Sequence, residues 1–119
     1  MLRPIPAKML KQTAVFHVCL STDTWESPTR KDIQISRVCL QPILESRIDR
    51  DNTLVYRRGL LFIDAKLSTK CDPEAFQRES LKNGMPLTVT VGEYERTVDE
   101  VSTIMDDEGG VHHWELTLV

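Results

Sequence analysis

The feature that most constrains the fold of this chain is the run Gly109-Gly110-Val111-His112-His113-Trp114-Glu115-Leu116-Thr117-Leu118-Val119, a turn signal followed by alternation to the last residue. Successive side chains of a strand point to opposite sides, so a period of two suits an extended strand and not a helix. His112, Trp114, Leu116 and Leu118 then share one face, and Val111, His113, Glu115, Thr117 and Val119 share the other. The first face is apolar and predicts a strand lying on a core.

The same period recurs upstream. Thr13 to Leu20 alternates Phe16, Val18 and Leu20 with Val15, His17 and Cys19, a first strand, and Ser21 to Arg30 then reads as a loop carrying Trp25. Asp32 to Leu44 reads as a second strand, but its apolar set moves from odd positions (Ile33, Ile35) to even ones (Val38, Leu40) around Ser36-Arg37. A change of phase inside a strand predicts a β-bulge. Pro42 has no N–H to give a ladder, so that end lies at an edge or leaves the sheet. The charged segment Glu45 to Thr53 follows, with turn chemistry at Asp51-Asn52, and reads as a long loop.

Leu54 to Leu67 reads as a third strand, with Gly59 a bulge or close approach and Leu60 to Ile63 the expected centre of the core. Asp72-Pro73-Glu74 combines a capping residue, proline at the first helical position and an acid in the first turn, predicting one short helix over Pro73 to Leu81 that Asn83-Gly84 ends. Leu87 to Val91 and Tyr94 to Met105 are extended, separated by a turn at Gly92-Glu93. The fold class expected is mainly β: a small antiparallel barrel or sandwich of about six strands, with one short helix and a long loop between strands 2 and 3.

A chain of 119 residues makes one domain, 1–119, and Pro4 and Pro6 hold residues 1–12 as an extended arm on which Leu2 and Ile5 can pack. The arm is broken too early for a signal peptide, and no apolar run is long enough to span a membrane. The formal net charge of −3 excludes a global pull toward nucleic acid. Three cysteines, Cys19, Cys39 and Cys71, are odd in number and unpaired by spacing, which points to a reducing compartment.

Candidate chemistry is sparse. The His112-His113 doublet suggests a metal, but neighbouring strand residues face opposite ways, so hydrogen bonding or packing at a subunit interface is the stronger reading. Cys71 precedes the helix cap, where a helix N-terminus lowers thiol pKa, yet no oxyanion signature accompanies it and an inert thiol is expected. Asp106 to Gly110 lacks the spaced ligands of a calcium loop and reads as a hairpin tip. No catalytic, cofactor or metal residue is assigned, and the chain is expected not to be an enzyme.

Three stretches together carry a family likeness: Leu2-Arg3-Pro4-Ile5-Pro6 at the start, Gly84 to Thr97 with Gly84, Leu87, Val89, Gly92 and Tyr94, and the close with His112, His113, Trp114, Glu115, Leu116 and Leu118. The chain resembles the small minor capsid proteins of tailed bacteriophages and prophages, of the head closure, or stopper, group of head-tail connector proteins. Met85-Pro86 and Thr97 depart from that pattern. The resemblance implies a virion protein, made in the bacterial cytoplasm, that forms a ring under the portal and adaptor proteins after DNA packaging and offers the tail-completion or tail-tube proteins a surface. It implies a homo-oligomer, dodecameric in the virion, for which a monomer is one possible free state, with no cofactor and no membrane. The loop between strands 2 and 3 would gate phage DNA, here Glu45, Arg47, Asp49, Arg50, Asp51 and Asn52, with Arg57 and Arg58 on its returning edge. Leu2, Ile5, Trp25, His112 and His113 are candidate subunit contacts. The rival class is a small barrel that binds single-stranded nucleic acid through aromatics and a basic groove.

Overall fold

A computed structural model describes residues 7–21, 29–48 and 54–119. Six antiparallel strands close into a barrel in the order β1-β2-β3-β6-β5-β4. They are β1 (Gln12–Ser21), β2 (Thr29–Ile48), β3 (Leu54–Asp64), β4 (Thr88–Val91), β5 (Tyr94–Met105) and β6 (Val111–Leu118), with one helix, α1 (Pro73–Lys82), between β3 and β4. The mainly β reading holds, and of its two forms the barrel is the one found.

Alternation fills the interior. Ala14, Phe16 and Val18 from β1, Ile35 and Val38 from β2, Leu61 and Ile63 from β3, Val89 and Val91 from β4, Val98 from β5, and Leu116 and Leu118 from β6 form one buried cluster with Leu87. Trp114 packs against it from a half-buried position. The Leu60 to Ile63 run is not uniformly core: Leu61 and Ile63 are fully buried while Leu60 and Phe62 are half-buried. In a closed barrel only every second residue can face inward.

The predicted phase change in β2 is a bulge. Gln12 opposes Val38 and Thr13 opposes Ser36, so Arg37 is the extra residue, and its φ is +61°. The turn after β3 clamps it: Ser68 Oγ accepts from the Asp64 N–H at 2.9 Å and donates to the Arg37 carbonyl. Next to it, the Ser36 N–H donates to Thr69 Oγ1 at 2.9 Å and the Thr69 N–H to the Ser36 carbonyl at 3.2 Å. The third strand therefore ends at Asp64 rather than Leu67.

Helix α1 begins as its sequence predicts, with the Asp72 carboxylate accepting from the Ala75 N–H and Pro73 in the first turn. Its Phe76 ring meets Phe16 at 5.5 Å. Ser80 is fully buried and its Oγ accepts from the Cys19 N–H at 2.8 Å, while Asn83 Nδ2 donates to the Cys19 carbonyl at 2.9 Å. Four-residue β4 pairs with β1 only from Ala14 to His17, so the helix serves the backbone of β1 beyond β4's reach. On its other side Gln77 Nε2 donates to the Asp99 carbonyl of β5. Of the expected arm, Ala7–Met9 is one turn of 3-10 helix and Leu10 is buried, which corrects the extended reading there. Leu2, Ile5 and Trp25 lie outside the described residues.

A non-glycine residue at positive φ costs about 1–2 kcal/mol, part of which glycine's greater freedom in the unfolded chain offsets. Arg37→Gly should leave stability unchanged or raise it by up to about 1 kcal/mol, whereas Arg37→Val should lower it by about 1–2 kcal/mol, read from urea midpoints.

Candidate functional site

The segment expected to be a loop, Glu45 to Thr53, begins as strand, since β2 includes Glu45 to Ile48. Pairing of β2 with β3 continues from Val38 opposite Ile63 to Ile48 opposite Leu54. Among the described residues, β1 has no pair on β2 beyond Val38, and β6 has none on β3 before Gly59. The two strands thus leave the barrel wall together as a two-stranded ribbon. Pro42 lies opposite Gly59 where β2 has already parted from β1, the position a residue without an N–H tolerates. Gly59 is a close approach: a Cβ there would stand 3.1 Å from Leu40 Cδ1.

Glu45 and Arg47 sit on the outgoing strand of the ribbon and Arg57 and Arg58 on the returning one, with Arg47 opposite Val55 and Arg58 opposite Ile43. Asp49, Arg50, Asp51 and Asn52 lie outside the described residues. The boundary Glu45 to Thr53 is therefore corrected: β2 runs to Ile48 and β3 starts at Leu54. Between Glu45 and Arg58 the sequence holds four arginines and three carboxylates, a net +1 in a chain of net −3. A two-stranded ribbon is only marginally stable by itself, so this one gains from any surface it meets.

Two polar rows mark the barrel wall. His17 Nδ1 lies 2.7 Å from Asp32 Oδ1 and Nε2 lies 2.8 Å from Thr90 Oγ1. A carboxylate only accepts, so Nδ1 carries the hydrogen, and in the neutral ring Nε2 accepts from the Thr90 hydroxyl. This carboxylate–imidazole–hydroxyl order spans β2, β1 and β4 with Asp32 63% exposed, and it fastens three strands in register. The hydrogen bond from His17 holds the Asp32 carboxyl below its ordinary value of 3.8.

The second row is on β6. His112 Nδ1 and His113 Nδ1 are 2.7 Å apart, and His113 Nε2 is 3.0 Å from Glu115 Oε1. The Glu115 carboxylate requires a hydrogen on His113 Nε2, so a neutral His113 accepts at Nδ1 from the His112 Nδ1–H. Although adjacent strand residues diverge, these two rings meet edge to face at 5.0 Å. The row carries a fixed tautomer order and a half-buried Phe62 ring beside His113.

Other expected residues divide between packing and surface. Leu87, Val89, Leu116 and Leu118 are buried; Gly84 (φ +80°) and Gly92 (φ +63°) make the turns after α1 and between β4 and β5. Among the residues that carry the family likeness, Tyr94 lies at the surface and not in the core, 62% exposed with the Arg96 guanidinium 5.8 Å from its ring centre. It opens β5 at the turn, opposite the buried Val91. The Cys71 thiol is pushed up to about 11, first by burial and then by the neighbouring Asp72 carboxylate, which outweigh the helix N-terminus. Ser68, Ser80 and Asn83 were not legible as contacts, because a lone serine or asparagine in a turn or helix carries no pattern.

The geometry defines a closed antiparallel barrel with a projecting ribbon. Comparison with family models, curated proteins and solved structures finds no match to the chain. No helix among the described residues is long and apolar enough to cross a membrane.

Asp32 is depressed in the folded state, so its contribution is present above the ordinary value of 3.8 and disappears as pH falls through the folded value. Asp32→Asn should be less stable than the parent chain at about pH 5, with the gap closing on acidification below that, followed by circular dichroism in urea. In a Cys39→Ala background Cys71 should be about one-thousandth thiolate at about pH 8 and resist alkylation until pH is raised toward 11, as mass spectrometry can count.

Proposed function

We propose that this chain is a non-enzymatic structural subunit of a tailed-bacteriophage head-tail connector, of the head closure type. Copies form a ring beneath the portal and adaptor, and the ribbon of β2 and β3 points into the channel. The observation that carries this reading is the ribbon: an arginine-bearing arm leaving a closed barrel at the place where the family resemblance puts the gating loop. Arg47, Arg50, Arg57 and Arg58 supply phosphate contacts, and Glu45, Asp49 and Asp51 keep the net attraction small, so that DNA is held after packaging yet released on a signal. The barrel supplies a rigid mount, because its six strands close on one another.

On this reading the ring meets the adaptor on one side and tail-completion or tail-tube proteins on the other. A barrel binding single-stranded nucleic acid is the rival, and a steep fall of binding with salt for the free chain would favour it.

Adding the purified chain to a portal–adaptor complex should place one further ring on it by electron microscopy, and failure to join would overturn the proposal. Replacing residues 47–53 with an Asn-Gly turn should leave the barrel folded and the ring formed, while the resulting heads lose their DNA. Heads that keep their DNA would count against gating.

A further inference from the structure

We propose that copies of this chain associate head to tail through two oppositely charged walls of the barrel, the basic wall at the β2 bulge of one copy lying against the acidic wall of β5 on the next. The inference rests on the ring reading above and names the contact that builds the ring. In the order β1-β2-β3-β6-β5-β4, β2 and β5 are three strands apart in both directions, so they stand on opposite walls.

The basic wall is assembled by the clamp on the bulge. Arg37 is exposed at the bulge itself. The bonds of Ser68 to Arg37 and of Thr69 to Ser36 hold the post-β3 turn against it, which brings the exposed Lys66 and Lys70 alongside. Gln12 Oε1 accepts from the Leu40 N–H at 2.7 Å, which fixes the start of β1, next to exposed Lys11, on the same wall. None of these four cations has an ion pair among the described residues. The carboxylates nearest in sequence are occupied: Asp32 accepts from His17 at 2.7 Å, Asp64 is buried with Oδ1 accepting from the Lys66 N–H, and Asp72 caps α1.

The acidic wall is β5, where Glu95, Asp99 and Glu100 are exposed. The cations around it are engaged elsewhere. Arg96 lies over the Tyr94 ring, and Arg78 reaches Glu74 on its own helix at 3.9 Å.

Like charges gathered on one wall repel within a single copy, and nothing in the barrel's packing requires the separation. Against a second copy the same arrangement is attractive and steers its approach. An exposed ion pair contributes little alone, but several facing pairs shielded together contribute more. The two walls are different and opposed, so contact is heterologous: each copy uses one wall on its left and the other on its right, and repetition closes a ring or runs on as a filament. A partner copy is favoured over a nucleic acid because the chain itself supplies both signs of charge on opposed walls.

The test uses two charge reversals, Lys66→Glu with Lys70→Glu on the basic wall and Glu95→Lys with Glu100→Lys on the acidic wall, each checked for folding by circular dichroism. Self-association is measured by sedimentation, and ring formation is scored on the portal–adaptor complex. Parent-chain association should weaken at least tenfold between about 50 mM and about 500 mM salt. Each reversed chain alone should associate at least about tenfold more weakly than the parent, and an equimolar mixture of the two should recover association, since the reversed walls complement each other. Reversed chains that assemble like the parent, or a mixture no better than its components, would overturn the proposed contact while leaving the ring reading intact. A parent chain that neither self-associates nor adds a ring to the complex would overturn both. Loss of binding to a duplex DNA fragment by the basic-wall variant, with self-association unchanged, would assign that wall to DNA and also overturn the contact.

Discussion

The barrel depends on one strand serving two partners. β2 is 20 residues long; it pairs with β1 as far as Val38 and with β3 from Val38 onward. At the changeover the sequence sets Ile35 and Val38 three positions apart, which in an unbroken strand would put them on opposite faces. Both are buried, because Arg37 is bulged out between them. Burying a large aliphatic side chain stabilises by about 1.5–3 kcal/mol, against about 1–2 kcal/mol for one residue in the left-handed region, so the bulge is the favourable outcome. The hydrogen bonds from Ser68 and Thr69 then make the distorted backbone part of the wall rather than a defect.

A second compensation follows from the shortness of β4. Four residues cannot cover the ten of β1, and the uncovered end would leave backbone groups unpaired where Cys19 is buried. Helix α1 closes that gap with side chains, Ser80 to the Cys19 N–H and Asn83 to its carbonyl, while Phe76 reaches the core ring of Phe16. The helix is thus a substitute strand for one end of β1. Its buried serine is explained by a backbone debt on another element, which is why no local pattern announces it.

This explains what the sequence made legible. Alternation marks a residue that must choose between core and solvent, so strands inside the barrel wall, the phase change at Arg37 and the Asp72-Pro73 helix start could all be read directly. The outer end of the ribbon's first strand could not. Past the barrel a strand has no core to face, so Glu45 to Ile48 need not alternate, and its charges and turn residues resemble a loop. Leu60 and Phe62 misled in the opposite sense, apolar residues on an outward register position that are only half-buried. Tyr94 shows a third limit: it continues the register of Arg96 and Val98 and lies opposite the buried Val91, yet at the turn it stays exposed.

Closure also divides the labour of the surface. A closed barrel presents no sheet edge, so the wall itself can meet a neighbour only through side chains, and charge is the strongest code available to mostly polar positions. The ribbon differs in kind, because among the described residues each of its strands has one partner there. On the proposed reading, a subunit built this way would hold its neighbours by one set of residues and act on the channel with another. Changes in the arm would then leave the ring contacts in place, since the ladder that carries the arm enters the wall at Gly59 and Val38, where the interior packing already fixes it. The sequence of the arm is rich in charge while the buried cluster of the barrel is apolar, and the β2–β3 backbone ladder joins the two parts.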